Sequence, residues 1–201
     1  MKAVPPAPHG SPFDEGFIDA HVVESPHGLG PVHRFDDSVD RALDRFRGHE
    51  PGDRIIYAVT ELADFGLLWH LVGWTKALTG RDHDFTAAVR LSTVLAAESA
   101  LVNGVAKSLF ERERPVQQTE RPHHLRVPLT TSFPSGHASA AFVAASLIAS
   151  KSRLPPFWYA LAAAVAYSRV HVRIHHASDV IGGALVGLAL GRTFRRIWRL
   201  R

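Results

Sequence analysis

Three short stretches hold the residue types from which a reaction centre could be built. Ser168 to Asp179 reads SRVHVRIHHASD. As a helix, or the mouth of one, it places His175 and Asp179 one turn apart on a common face, with Arg169 upstream. A neutral imidazole is a competent nucleophile toward phosphorus, and a carboxylate one turn on can hold its other ring nitrogen and stabilise the imidazolium that forms. Arg169 adds a planar donor fork that fits two oxygens of an anion. In Lys107 to Pro115 (KSLFERERP), two helical turns would bring Lys107 and Arg114 to one face before Pro115 stops the helix. In Pro134 to His137 (PSGH), Ser135 and Gly136 open the following helix, where backbone N–H groups, a hydroxyl and the helix dipole favour an anion. His137 would sit beside that anion, with an unperturbed pKa of about 6.5 that suits proton donation to a departing alkoxide.

Each stretch alone has a plainer reading. Lys107 and Arg114 could form a solvated helix end with Glu111 paired between them, and Pro-Ser-Gly is ordinary turn chemistry. His171, His175 and Asp179 also fall at successive i, i+4 positions, a spacing that could face a metal with His176 or His123 and His124 as helpers. The conjunction of all three stretches is far more specific than any one of them.

The rest of the chain must position these groups. Its 201 residues are one domain's worth, and the absence of cysteine removes disulfides and thiolate chemistry. A net charge of +4 and a pI near 9.8 come without a basic stripe interleaved with aromatics, which argues against a nucleic-acid partner. The start, MKAVPPAPHGSP, has prolines where a signal peptide would carry an apolar core, so export is expected to rely on internal segments. Residues 1–35 are rich in Pro, Gly and His and read as an irregular tail. Residues 36–50 read as an amphipathic helix, with Val39, Leu43 and Phe46 at helical spacing. Asp36, Asp37 or Ser38 would be its N-cap, and Gly48 and Pro51-Gly52 would end it.

Residues 51–201 read as one membrane-embedded domain with apolar segments at about 55–78, 86–109, 138–154, 156–174 and 179–197. Glu61, Asp64, Arg90 and Glu98 fall inside the first two and are expected to face the bundle interior. Gly183, Gly187 and Gly191, at four-residue spacing, mark a close-approach face between helices. The expectation is an all-α, multispan transmembrane bundle of about five spans with an N-terminal amphipathic helix. Lys76, Arg81, Lys151 to Arg153 and the arginines from Arg192 to Arg201 would share the cytoplasmic side, leaving the three special stretches on the opposite face.

Lys-x6-Arg-Pro, Pro-Ser-Gly-His and Ser-Arg-x5-His-x3-Asp, in that order, closely resemble the three-part signature of the type 2 phosphatidic acid phosphatase family. Its superfamily also includes bacterial nonspecific acid phosphatases and vanadium haloperoxidases. The resemblance implies that His175 attacks phosphorus to give a phosphohistidine, that His137 protonates the leaving oxygen and later activates water, and that Asp179 orients His175. It implies phosphoryl binding by Lys107, Arg114, Ser135, Gly136 and Arg169, with no metal and no cofactor. The implied substrate is a phosphorylated lipid, phosphatidate-like or polyprenyl, met in the bilayer of the cell membrane. Two departures stand out. Many lipid-phosphatase members place three spans before the first motif where this chain has two apolar segments, and Ala177, His171 and Arg173 are less usual at their positions. Two other readings use the same residues: a soluble or peripheral acid phosphatase or vanadate-dependent haloperoxidase, and a non-catalytic multispan protein that binds phosphorylated lipid.

Overall fold

A computed structural model describes residues 30–78, 81–116, 125–128 and 130–199, and these are helical, with no strand among them. Seven α-helices follow one another: α1 Pro31–Asp44, α2 Glu50–Leu62, α3 Leu67–Ala77, α4 Asp82–Ser99, α5 Gly136–Ala149, α6 Pro155–His171 and α7 Ala177–Arg199.

The first helix starts five residues earlier than its sequence pattern suggests. Gly30 is the N-cap and Pro31 occupies the first turn, where its missing N–H costs nothing and its fixed φ suits a helix. Asp36, expected as a cap, is instead inside the helix and buried. Pro51 and Gly52 likewise do not end a helix but lie in the first turn of α2. Residues 1–29 of the expected tail lie outside the described residues.

The first apolar segment is two helices rather than one. Phe65 and Gly66 adopt left-handed φ of 54° and 71°, and α2 and the stretch Asp64–Ala77 meet at a 63° bend. Left-handed residues cannot continue a right-handed helix, so the break is local and sharp. The second segment continues past α4 into seven π-helical residues, Ala100–Ala106, and a 3-10 turn, Lys107–Leu109.

Helix α5 is the central post. It packs on α6, α7 and α4, and Ala138, Ala141, Val143, Ala144 and Ala145 are all completely buried. Its small side chains let α7 come very close. A Cβ added at Gly183 would stand 2.3 Å from the Ser135 carbonyl oxygen, one at Gly187 2.3 Å from that of Ser139, and one at Gly191 2.6 Å from the Ser146 Cβ. The glycine row therefore does what its spacing implies: it sets α7 directly against the backbone of α5.

Among the described residues, Asp82–Leu109, at 28 residues, is the one continuous helix long and apolar enough to cross a membrane, and the bent α2–α3 pair would make a second if taken as one span. The 14 residues of α5 extend about 21 Å at 1.5 Å per residue, short of a hydrocarbon core of about 30 Å. Large apolar side chains nevertheless cover the outer faces, among them Leu71, Trp74, Phe85, Val89, Leu101 and Leu185. The helices alternate in direction, so Lys76, Lys151 and Arg195 gather around one end of the bundle. The three chemically notable stretches gather at the other.

Candidate active site

The chemistry-bearing residues come from six chain segments that end at the same place. Lys107 closes the long helix, Arg114 lies on the extended strand of chain that follows, and Ser135, Gly136 and His137 open α5. Arg169 is in the last turn of α6, His175 is in the link 172–176, and Asp179 is in the first turn of α7. Lys107, Gly136, His137 and His175 line one cavity of about 480 Å3. Ser135, Arg169 and Asp179 are almost wholly buried around it.

The link between α6 and α7 explains how His175 is aimed. Arg173 has a left-handed φ of 52°, so the chain leaves α6 and turns back, with the N–H groups of Ile174 and His175 both donating to the Arg169 carbonyl at 3.1 Å. His175 and Asp179 are thus not two positions of one helix, as their spacing suggests. They still meet: Nδ1 of His175 is 3.6 Å from Oδ2 of Asp179, which accepts the His176 N–H at 2.9 Å. The other nitrogen, Nε2, faces Arg114 Nη1 at 3.3 Å. Burial, reinforced by the charges of Arg169 and Arg114 and opposed by Asp179, pushes the His175 imidazole down to about 3. The ring is therefore neutral at pH 7, as a nucleophile must be.

Arg114 reaches the site differently from the expectation. The helix stops at Leu109 and Phe110 is already extended, so Lys107 and Arg114 do not share a helix face. Segment 111–116 instead pairs with 131–132: Arg112 N–H donates to Thr131 Oγ1 and Ser132 N–H to the Arg112 carbonyl, both at 2.9 Å. Arg114 is then held by the carbonyls of Ile174 at 2.8 Å, Thr130 at 3.0 Å and Pro128 at 3.1 Å. Glu111, the alternative partner for the two cations, is exposed.

The opening of α5 is pinned on both sides. The Ser135 hydroxyl caps the helix, and its N–H donates to the Asp179 carbonyl at 3.0 Å, which fastens the start of α5 to the start of α7. Gly136 faces Asn103, whose Oδ1 would stand 3.0 Å from an added Cβ. His137 Nε2 is 2.7 Å from Asp64 Oδ1, and Asp64 also lies 3.9 Å from Arg169 Nη1. Arg169 donates to Thr60 Oγ1 at 2.8 Å, and Lys107 Nζ to Thr130 Oγ1 at 3.1 Å.

Two groups at the site carry no mark in the motifs. Asp64 sits at the α2–α3 break, where its only signal is an ionisable residue inside an apolar segment. Arg112 donates to Asp179 Oδ1 and to Asp36 Oδ2, both at 2.5 Å. By contrast, His171 is not part of a metal face. Its Nε2 is 2.8 Å from Asp53 and its Nδ1 3.1 Å from the Tyr167 hydroxyl, so it braces α6 against α2. Among the described residues no group of three or more His, Asp or Glu side chains is arranged to hold a metal ion. His123 and His124 lie outside the described residues.

This arrangement can be set beside known proteins. A protein of Escherichia coli (strain K12) named for undecaprenyl-diphosphatase activity is 27% identical over 146 residues, 72% of each chain. The transmembrane PAP2 type phosphatidylglycerolphosphate phosphatase from Bacillus subtilis superposes with a TM-score of 0.67 at 24% identity, over 85% of this chain and 88% of that one. Aquifex aeolicus LpxE superposes with a TM-score of 0.63 at 22% identity, over 81% of this chain and 95% of its own. The profile of the PAP2 superfamily matches residues 87–201, which include all three motifs and the whole of α5 to α7. The chain belongs to the PAP2 superfamily and is a phosphoric ester hydrolase of that family.

Proposed function

We propose that this protein is an integral membrane phosphatase that hydrolyses a lipid phosphate or lipid diphosphate through a phosphohistidine intermediate. The observation that carries this reading is one cavity that joins a neutral, buried His175 to His137, with Lys107 on its wall and Arg114 directly behind the nucleophilic ring. Nε2 of His175 attacks phosphorus while the bond to the leaving oxygen breaks and His137 gives that oxygen its proton. Water then attacks the phosphohistidine, His137 takes the water's proton, and the N–P bond breaks to release phosphate and free imidazole. Asp179, facing Nδ1, stabilises the ring while it is positively charged. Lys107, Arg114, Arg169 and the amide end of α5 at Ser135 and Gly136 hold the phosphoryl oxygens where negative charge develops. None of these steps calls for a metal or a cofactor.

The relatives act on lipid-linked phosphates or diphosphates by their names, and the apolar outer faces of the bundle place such a substrate within lateral reach of the cavity. About five spans, with the cationic end on the cytoplasmic side and the cavity on the other, is the topology that the positive-inside rule favours. A panel of lipid phosphates and diphosphates assayed in detergent, with vanadate and chelator controls, tests the reading. Phosphate release that vanadate suppresses and chelator leaves intact is the expected result. No turnover on any lipid, or undiminished turnover by His175→Ala, would refute it.

A further inference from the structure

We infer that Asp36, on the N-terminal helix α1, is a positioning residue for the nucleophile, acting through Arg112 and Asp179. The inference rests on the proposed phosphatase chemistry of His175. Helix α1 looks like a surface element: Val32 and Phe35 are 53% and 42% exposed, and most of its residues face outward. Asp36 is the exception at 3% exposure. A buried carboxylate on such a helix is costly unless it is fully bonded, and this one is. Its Oδ1 accepts the Ser178 N–H at 2.8 Å, and its Oδ2 accepts the Ser178 hydroxyl at 2.7 Å and Arg112 Nη2 at 2.5 Å.

Arg112 is the shared piece. One arm of its guanidinium goes to Asp36 and the other to Asp179 Oδ1 and the Ser178 hydroxyl. A planar fork held at both tips cannot rotate without breaking one of them. Asp179 is thereby fixed in the direction from which its second oxygen faces His175. Elsewhere α1 grips the same link by means that do not touch this relay. Arg173 donates to Asp40 and Asp44, and Arg47 donates to Asp40 and to the carbonyls of Val170 and His171. The helix thus has two functions that can be separated: Asp40 and Asp44 hold it down, and Asp36 extends the line of charge to the catalytic carboxylate.

The test compares Asp36→Asn with Asp40→Asn in the full-length protein in detergent, on whichever phosphorylated lipid the wild type turns over. Asp36→Asn should lower kcat about 10-fold or more with KM within about twofold, whereas Asp40→Asn should lower the thermal midpoint and keep kcat within about twofold. In an Asp179→Asn background, Asp36→Asn should cost little further, because the relay then has nothing to orient. Arg112→Lys, which keeps charge but loses the fork, should fall with Asp36→Asn. Equal kcat losses for the Asp36 and Asp40 variants, or additive losses with Asp179→Asn, would overturn the inference. If Asp36→Asn does not fold, the Arg112→Lys and Asp179→Asn pair carries the same additivity criterion. Absence of wild-type turnover would count against the proposed function, whereas an active wild type with an unimpaired Asp36→Asn would count against Asp36 alone.

Discussion

The bundle holds two cavities of nearly equal volume, about 480 Å3 at the end with the motifs and about 490 Å3 at the other. Both are lined by cations. At the far end these are Lys76, Arg90, Lys151 and Arg195, on exposed or half-exposed side chains, with Arg90 lying over the Trp198 ring. At the near end Lys107 and Arg169 are buried and bonded, Arg114 is fixed by three segments of backbone, and a neutral imidazole stands among them. Size and charge sign are therefore poor guides to where chemistry happens. What separates the two is fixation: exposed cations are mobile and screened by salt, whereas buried donors are already aimed and need no reorganisation when charge develops.

The largest expected effect falls on the near end. His175→Ala should reduce phosphate release by about three orders of magnitude or more, since loss of a nucleophile removes the covalent route. A variant that kept even a tenth of wild-type turnover would erase the contrast between the two ends. Gly183→Leu comes next. Its side chain would have to occupy the place of the Ser135 carbonyl, and small-to-large changes in packed cores cost about 1–3 kcal/mol. A fall in thermal midpoint with loss of turnover is expected, because the residue displaced is the one that opens α5 beside His137.

A third prediction uses pH. The His175 imidazole is pushed down to about 3 in the folded protein from an ordinary value of 6.5, so the unfolded chain binds an extra proton between these limits. Its contribution to stability is complete above about pH 6.5 and declines as pH falls toward 3, by at most about 1.4 kcal/mol per pH unit. Thermal midpoints should drop between pH 7 and pH 4.5, and His175→Gln should flatten that drop. An unchanged slope would mean that the ring is not held neutral. The smallest effect belongs to the far end, where Lys151→Gln with Arg195→Gln should leave turnover within about twofold. A tenfold loss would show that end to be coupled to the chemistry.

What could be read from residues alone divides along a similar line. The three motifs converge as their spacing implies, and the glycine row faces α5, because both depend on residue type and short periodicity. The geometry linking the motifs was less visible. Lys107 and Arg114 meet not through two helical turns but because 111–116 pairs with 131–132, a contact between segments that no local window contains. His175 and Asp179 meet across a reversal at Arg173, where a positive φ in a non-glycine residue leaves no compositional trace. Asp36 looked like a cap because it begins an acidic, polar run, but Pro31 had already started the helix. Asp64 was noticed only as a blemish in an apolar segment, and the bend that turns it toward His137 comes from the left-handed pair after it.

The seven π-helical residues just before Lys107 bear on insertions and deletions in this part of the chain. A π stretch is most simply accommodated as an extra residue wound into an otherwise regular helix. Removing one residue between 100 and 106 would let the helix relax to ordinary winding and swing everything after it by about 100°. Lys107 would leave the cavity wall although its identity and its neighbours were intact. In this segment length is under as tight a constraint as composition, and a homologue one residue shorter here would have to find its phosphate-binding lysine elsewhere.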